Sequence, residues 1–111
     1  MGIKVENLLK KGFSLVAGEK GIDREIEGVY ICDLLSWVMS HAKAKDAWIT
    51  IQSHINVIAV ALLSEISCVI LPENVKLDED AKTKAEEEGI PVLSFSGTSY
   101  EAAIILHEMM K

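Results

Sequence analysis

The chain has 111 residues, half of them hydrophobic but only six of them aromatic, and a formal net charge of -6 from 11 basic and 17 acidic side chains. That length suits one domain, which buries roughly two-thirds of the surface of its unfolded chain, and the shortage of aromatics leaves a core of Ile, Val, Leu and Ala. The acidic balance argues against a nucleic-acid partner, which needs clustered Lys and Arg, and equally against an anionic membrane surface.

In chain order, Ile3 to Lys10 reads as a first helix with Val5, Leu8 and Leu9 on one face and Gly12 closing it in a left-handed conformation. Phe13 to Ala17 reads as a short strand, and Gly18 to Gly21 as a turn whose two glycines supply positive φ. Ile22 to Glu27 alternates only weakly and reads as an exposed edge or loop. Gly28 to Cys32 reads as a buried strand. Asp33 is placed to cap a helix over Leu34 to Ala42 that carries a wide apolar stripe. Ala47 to Gln52 is the next strand, and Ser53 is placed to cap the segment after it.

From Ile55 to Leu63 only Asn56 is polar, and periodicity alone does not separate strand from buried helix. The next strand, Ser67 to Leu71, comes so soon that a short crossover helix is the expectation, giving a right-handed βαβ unit with parallel strands. A helix apolar nearly all round must meet protein on more than one flank, which points to a homodimer. Asp78 to Glu88 reads as a surface helix with Leu77, Ala81 and Ala85 facing inward, and with Asp78/Lys82 and Asp80/Lys84 as i,i+4 ion pairs. Gly89 stops it and Pro91 prevents its resumption. Val92 to Phe95 is a core strand. Thr98 and Glu101 have capping-box spacing ahead of a last helix that buries Ala102, Ala103, Ile105, Leu106, Met109 and Met110.

Alternation of strand and helix specifies an α/β fold: three layers, with a small, mostly parallel central sheet and flanking helices, as a single domain over residues 1–111. The start, Met1 to Lys4, lacks the apolar stretch of a secretory signal, and Cys32 and Cys68 lie in apolar runs outside any Cys-x-x-Cys pair. Together these point to the cytoplasm.

Three segments carry a family resemblance. Arg24 to Ser36, Trp48 to Ala61, and Gly89 to Leu93 with Ser99-Tyr100-Glu101 resemble small DRTGG-domain proteins over about residues 12–110. The resemblance implies a regulatory or dimerising role, since such domains are fused to CBS-domain proteins, phosphotransacetylases and certain inorganic pyrophosphatases. It also implies a relation to the N-terminal domain of HPr kinase/phosphorylase. The namesake motif is altered: Gln52-Ser53-His54 stands where the family has Gly-Asp-Arg, and about Leu71-Pro72-Glu73 where it has Thr-Gly-Gly.

Neither glycine-rich nucleotide cradle is present, so kinase chemistry has no phosphate loop. A weaker anion or nucleotide site is expected where strand ends meet helix amino termini: at Asp33, at Gln52, Ser53, His54 and Asn56, and at Thr98, Ser99 and Tyr100, three loops expected to meet in one crevice. Capping is the competing role for Asp33, Ser53 and Thr98. His41, His54 and His107 lack metal-ligand spacing, and no metal or cofactor is expected; His41 and His107 read as helix-surface residues. Trp37 and Trp48 read as core or interface residues. The function expected is a non-catalytic, homodimeric regulatory or ligand-binding module. Its alternatives are an adaptor for a partner enzyme in a larger, hydrogenase-related redox complex, or an enzyme acting through Cys32 and His54.

Overall fold

The computed structural model describes residues 2–111, so Met1 of the amino-terminal signature lies outside it. The elements are β1 (Ile3–Lys4), β2 (Ser14–Ala17), β3 (Glu25–Ile26), β4 (Gly28–Ile31), α1 (Leu35–His41), β5 (Asp46–Ile49), α2 (Ile55–Leu63), β6 (Cys68–Leu71), α3 (Glu79–Glu88), β7 (Val92–Ser94) and α4 (Ser99–Met109). Five strands form the central sheet in the order β2-β7-β6-β5-β4, and β1 pairs with β3 in a separate two-stranded ribbon. β4, β5, β6 and β7 run parallel, and β2 joins β7 antiparallel with a register irregularity between Leu15 and Ala17.

Strand alternation divides the core between the two faces of this sheet. Trp48, Val69, Leu71 and Val92 point to one face, where they pack with Val38 of α1, Val57, Ile58 and Ala61 of α2, and Ala81 and Ala85 of α3. Ala47, Ile49, Cys68, Ile70 and Leu93 point to the other, against Ala102 and Leu106 of α4 and against Val5, Leu8 and Phe13. The three-layer α/β reading therefore holds, and so does the parallel β5-α2-β6 unit, with α2 spanning the stretch that periodicity left ambiguous.

Several local expectations give way to tertiary packing. Residues 3–10 are a two-residue strand and a 3₁₀ helix (Val5–Lys10) in place of an α-helix, because Ile3 and Lys4 pair with Ile26 and Glu25. Val5 and Leu8 are fully buried, whereas Leu9 is exposed. The same pairing makes Ile22–Glu27 something other than a loose edge, since Ile26 is fully buried. Conversely, β4 is the sheet's edge strand and Ile31 is half-exposed, so it is no buried strand. Gly18 has φ of 81°, and the turn it opens is a 3₁₀ helix over Glu19–Gly21. A Cβ at Gly18 would collide with the Ile90 carbonyl, so close backbone approach also demands glycine there.

α3 ends at Gly89 in the left-handed conformation, as its sequence requires. Its ion pair is Lys84–Glu88 at 3.2 Å, in place of the Asp78/Lys82 and Asp80/Lys84 pairs. In α4 only Ala102 and Leu106 are fully buried; Ala103, Ile105, Met109 and Met110 line the rim of that core. His41 and His107 are exposed. No helix among the described residues is long and apolar enough to cross a membrane.

Candidate functional site

The parallel arrangement brings the loops after β4, β5, β6 and β7 to one end of the sheet, the end where α/β folds place ligands. At the β4–β5 corner, Asp33 works differently from a cap. Its Oδ1 accepts hydrogen bonds from Thr50 Oγ1 (2.8 Å) and from the Ile51 backbone N–H (3.0 Å). Gln52 returns the link by donating from Nε2 to the Asp33 carbonyl at 3.0 Å. Its backbone N–H donates to Thr50 Oγ1 at 3.2 Å. Asp33 thus ties the β4–α1 and β5–α2 loops together, while Leu34 holds the N-cap position of α1 with no side-chain bond.

Ser53 does not cap α2 either. His54 occupies the N-cap position, and no side chain of the described residues caps that end. The Ser53 carbonyl instead accepts from the Asp78 N–H at 3.0 Å. Gln52, Ser53 and His54 are half-buried and Ile55 and Asn56 are exposed, so the amino end of α2 reaches the surface while Val57 and Ile58 of its first turn are buried. Around it stand apolar side chains that are half-exposed or more: Ile31, Leu34, Trp37 and Ile51. Trp37 stacks on His41 with ring centroids 3.9 Å apart, and His41 Nδ1 lies 3.0 Å from the Trp37 carbonyl. Trp48, by contrast, is fully buried and donates from Nε1 to the Cys32 carbonyl at 2.8 Å.

The third predicted loop is separate. Thr98 caps α4 in a complete capping box: its Oγ1 accepts from the Glu101 N–H at 3.1 Å, and Glu101 Oε1 accepts from the Thr98 N–H at 2.9 Å. Ser99 is half-buried and Tyr100 is exposed. Because α4 packs on the face opposite to α1 and α2, and β6 lies between β5 and β7, Thr98-Ser99-Tyr100 do not share a crevice with Asp33 and His54. The β6–α3 connection fills the space between them. Its Glu73 N–H donates to the Gly97 carbonyl (2.8 Å) and its Asn74 N–H to the Phe95 carbonyl (3.0 Å). Two cavities, of about 460 and 470 Å³, lie instead at the amino end of the strands. The residues at that end carry no ligand-binding pattern in the sequence.

Among the described residues no cluster of His, Cys, Asp and Glu is placed to hold a metal. Cys68 is fully buried, and desolvation pushes its thiol from 9.0 up to about 12, against a smaller opposing pull from Arg24. It is a packing residue at neutral pH.

The model of the DRTGG domain matches residues 11–109. The chain belongs to the DRTGG-domain family. Comparison with curated proteins finds no match. Among solved structures, the fold is similar to the CBS and DRTGG domains of the regulatory region of Clostridium perfringens pyrophosphatase, crystallised with the activator diadenosine tetraphosphate. The TM-score is 0.76 at 13% identity, covering 96% of this chain and 47% of that one. This chain therefore spans about half of that regulatory region. In this DRTGG chain, two consecutive residues after β6, Glu73 and Asn74, have positive φ, both 57°. Val75 N–H donates back to the Pro72 carbonyl across them. A glycine pair would adopt that turn without strain, one residue further along than the Leu71-Pro72-Glu73 match read from sequence.

Proposed function

We infer that this DRTGG domain is a non-catalytic regulatory module that acts as a homodimer and takes a small anionic ligand, with nucleotides in that class, at the α1–α2 corner. The observation that carries the reading is a coincidence in one place. The amino end of α2 has no side-chain cap, and large apolar residues stand half-exposed around it. Uncapped N–H groups at the positive end of a helix favour negative charge. Exposed Ile31, Leu34, Trp37 and Ile51 favour association. Gln52, Ser53, His54 and Asn56 supply the polar contacts in this reading. Asp33 shapes their loop, because its Oδ1 is already engaged by Thr50 and Ile51. Thr98 caps α4 on the far face, and Ser99 and Tyr100 begin that helix. The neighbour's complex with a dinucleotide polyphosphate supports the ligand class.

Thermal denaturation with inorganic phosphate, ATP and diadenosine tetraphosphate tests the ligand. At about a hundred times Kd a single site contributes about 2.7 kcal/mol, and Ser53→Glu, which puts a carboxylate at the α2 amino end, abolishes the shift. Absence of stabilisation by all three removes the ligand. Light scattering at tens of micromolar tests the dimer, which Leu34→Glu with Trp37→Glu converts to monomer; a wild-type monomer removes the self-association and leaves the same corner to a partner enzyme.

A further inference from the structure

The cavity of about 470 Å³ runs beside β4, between Glu27–Tyr30 and the end of α1 at His41 and Lys43. None of these residues is buried, so its walls are open to contact. β4 ends the five-stranded sheet: β5 pairs with one of its edges, and among the described residues no strand pairs with the other. The Cys32 N–H donates to the Ile49 carbonyl on β5. Alternate residues of a strand turn their backbone groups to opposite sides. Tyr30 therefore bonds toward β5 as well, and the N–H and C=O of Val29 and Ile31 face outward. Such an edge invites another strand unless a charge, a proline or a bulge guards it. Gly28-Val29-Tyr30-Ile31 has none of these.

Past the carboxyl end of β4 the surface protrudes as an apolar knob, with Leu34 62% and Trp37 51% exposed. Leu34, Trp37 and His41 follow one another at helical spacing and share one side of α1. His41 stacks on Trp37 and lies on the cavity wall, so this side of α1 borders the open edge. Knob and cavity thus stand at opposite ends of the same short strand.

We propose that two copies of the chain pair β4 with β4 in antiparallel register, Tyr30 opposite its twin on the two-fold axis and Val29 opposite Ile31, joining their sheets into one. The proposal rests on the homodimer inferred above and specifies its contact. In this register Val29 and Ile31 exchange all their outward-facing N–H and C=O groups. Antiparallel pairing also sets the Leu34 end of each copy beside the Glu27 end of the other. The knob of each then enters the cavity of the other, twice over, as a self-complementary two-fold contact requires. Charge agrees with the same register. Lys43 is exposed and forms no ion pair among the described residues, and it meets the partner's Asp33, which is exposed as well. Glu27 beside it is already held by Lys45 at 3.3 Å. A foreign strand would gain the edge hydrogen bonds without this reciprocal fit.

Amide hydrogen exchange of the full chain, read residue by residue at tens of micromolar, is the test. The reference is the Leu34→Glu, Trp37→Glu double variant as monomer. The Val29 and Ile31 amides are expected to exchange at least about ten-fold more slowly in the wild type, sealed across the axis. Lys43→Glu sets a carboxylate beside the partner's Asp33 and is expected to weaken the dimer by at least about ten-fold, read by light scattering over a dilution series. Lys43 is exposed, so this variant keeps the fold, which circular dichroism checks. A dimer whose Val29 and Ile31 amides exchange as fast as the monomer's, or a Lys43→Glu dimer as tight as the wild type, overturns the β4 pairing and leaves the homodimer standing. A monomeric wild type overturns both.

Discussion

The two faces of the sheet are finished differently. On the α4 face, the 3₁₀ segment Val5–Lys10 and the stacked Phe13 and Phe95 rings (centroids 4.6 Å apart) close over Ile49, Ile70 and Leu93. On the α1–α3 face, helices cover Trp48 and Val69, yet the corner beyond β4 and β5 keeps large apolar side chains at the surface. A closed face contributes stability. An unfinished one has both the area and the uncapped helix end through which regulation can act. The difference also concerns residues 3–10: they lie outside the family match, which begins at residue 11, but Val5 and Leu8 among them are fully buried.

The largest effects probe the cores themselves. Trp48→Ala, which removes a fully buried ring and its bond to Cys32, is expected to cost about 3–5 kcal/mol, and Leu8→Ala about 2–5 kcal/mol. Urea denaturation reads both. A loss under 1 kcal/mol in Leu8→Ala, about the effect of a surface change, breaks the claim that the amino-terminal segment completes the α4 face. A smaller effect separates the two helix starts. Thr98→Ala removes a formed cap and costs about 1 kcal/mol, whereas Ser53→Ala removes none and stays within about 0.5 kcal/mol. Equal losses would mean that α2 is capped in solution, and its open end would no longer distinguish the two faces.

The smallest effect is chemical. Cys68 lies within the closed face and Cys32 is half-buried at the open corner. At pH 8 a thiol reagent modifies Cys32 in the folded protein and spares Cys68. The folded thiol of Cys68 holds its proton up to about pH 12, while the unfolded one ionises from 9.0. Between these values the unfolded state binds fewer protons, so its contribution to stability is full below 9.0 and is lost as pH rises toward 12. Cys68→Ala flattens that part of the alkaline stability profile. Equal labelling of both thiols would show that the α4 face is open.

What local sequence decided, it decided through short-range physics. The greasy stretch Ile55–Leu63, the i,i+3 box of Thr98 and Glu101, and Gly89 after a charged helix each need only near neighbours to act, and each stands where its residues placed it. The order of strands around the β5-α2-β6 unit, and hence the fold class, came from connection length. What needed distant partners went another way. Ile3 and Lys4 are strand because Ile26 and Glu25 lie opposite them, Asp33 leaves its cap because Thr50 and Ile51 offer better-placed bonds, and Ser53 stands one residue before the N-cap position of α2, which His54 holds. The same holds for the site: Asp33, Gln52 and His54 were legible as strand-end polar residues, but not that α4 departs to the other face and takes Thr98 with it. Nor could spacing reveal that His41 and Lys43 line one cavity with Glu27–Tyr30. A capping box such as that of Thr98 and Glu101 closes on its own few residues and is written in the chain itself; the meeting of side chains across a sheet is set only when the sheet closes.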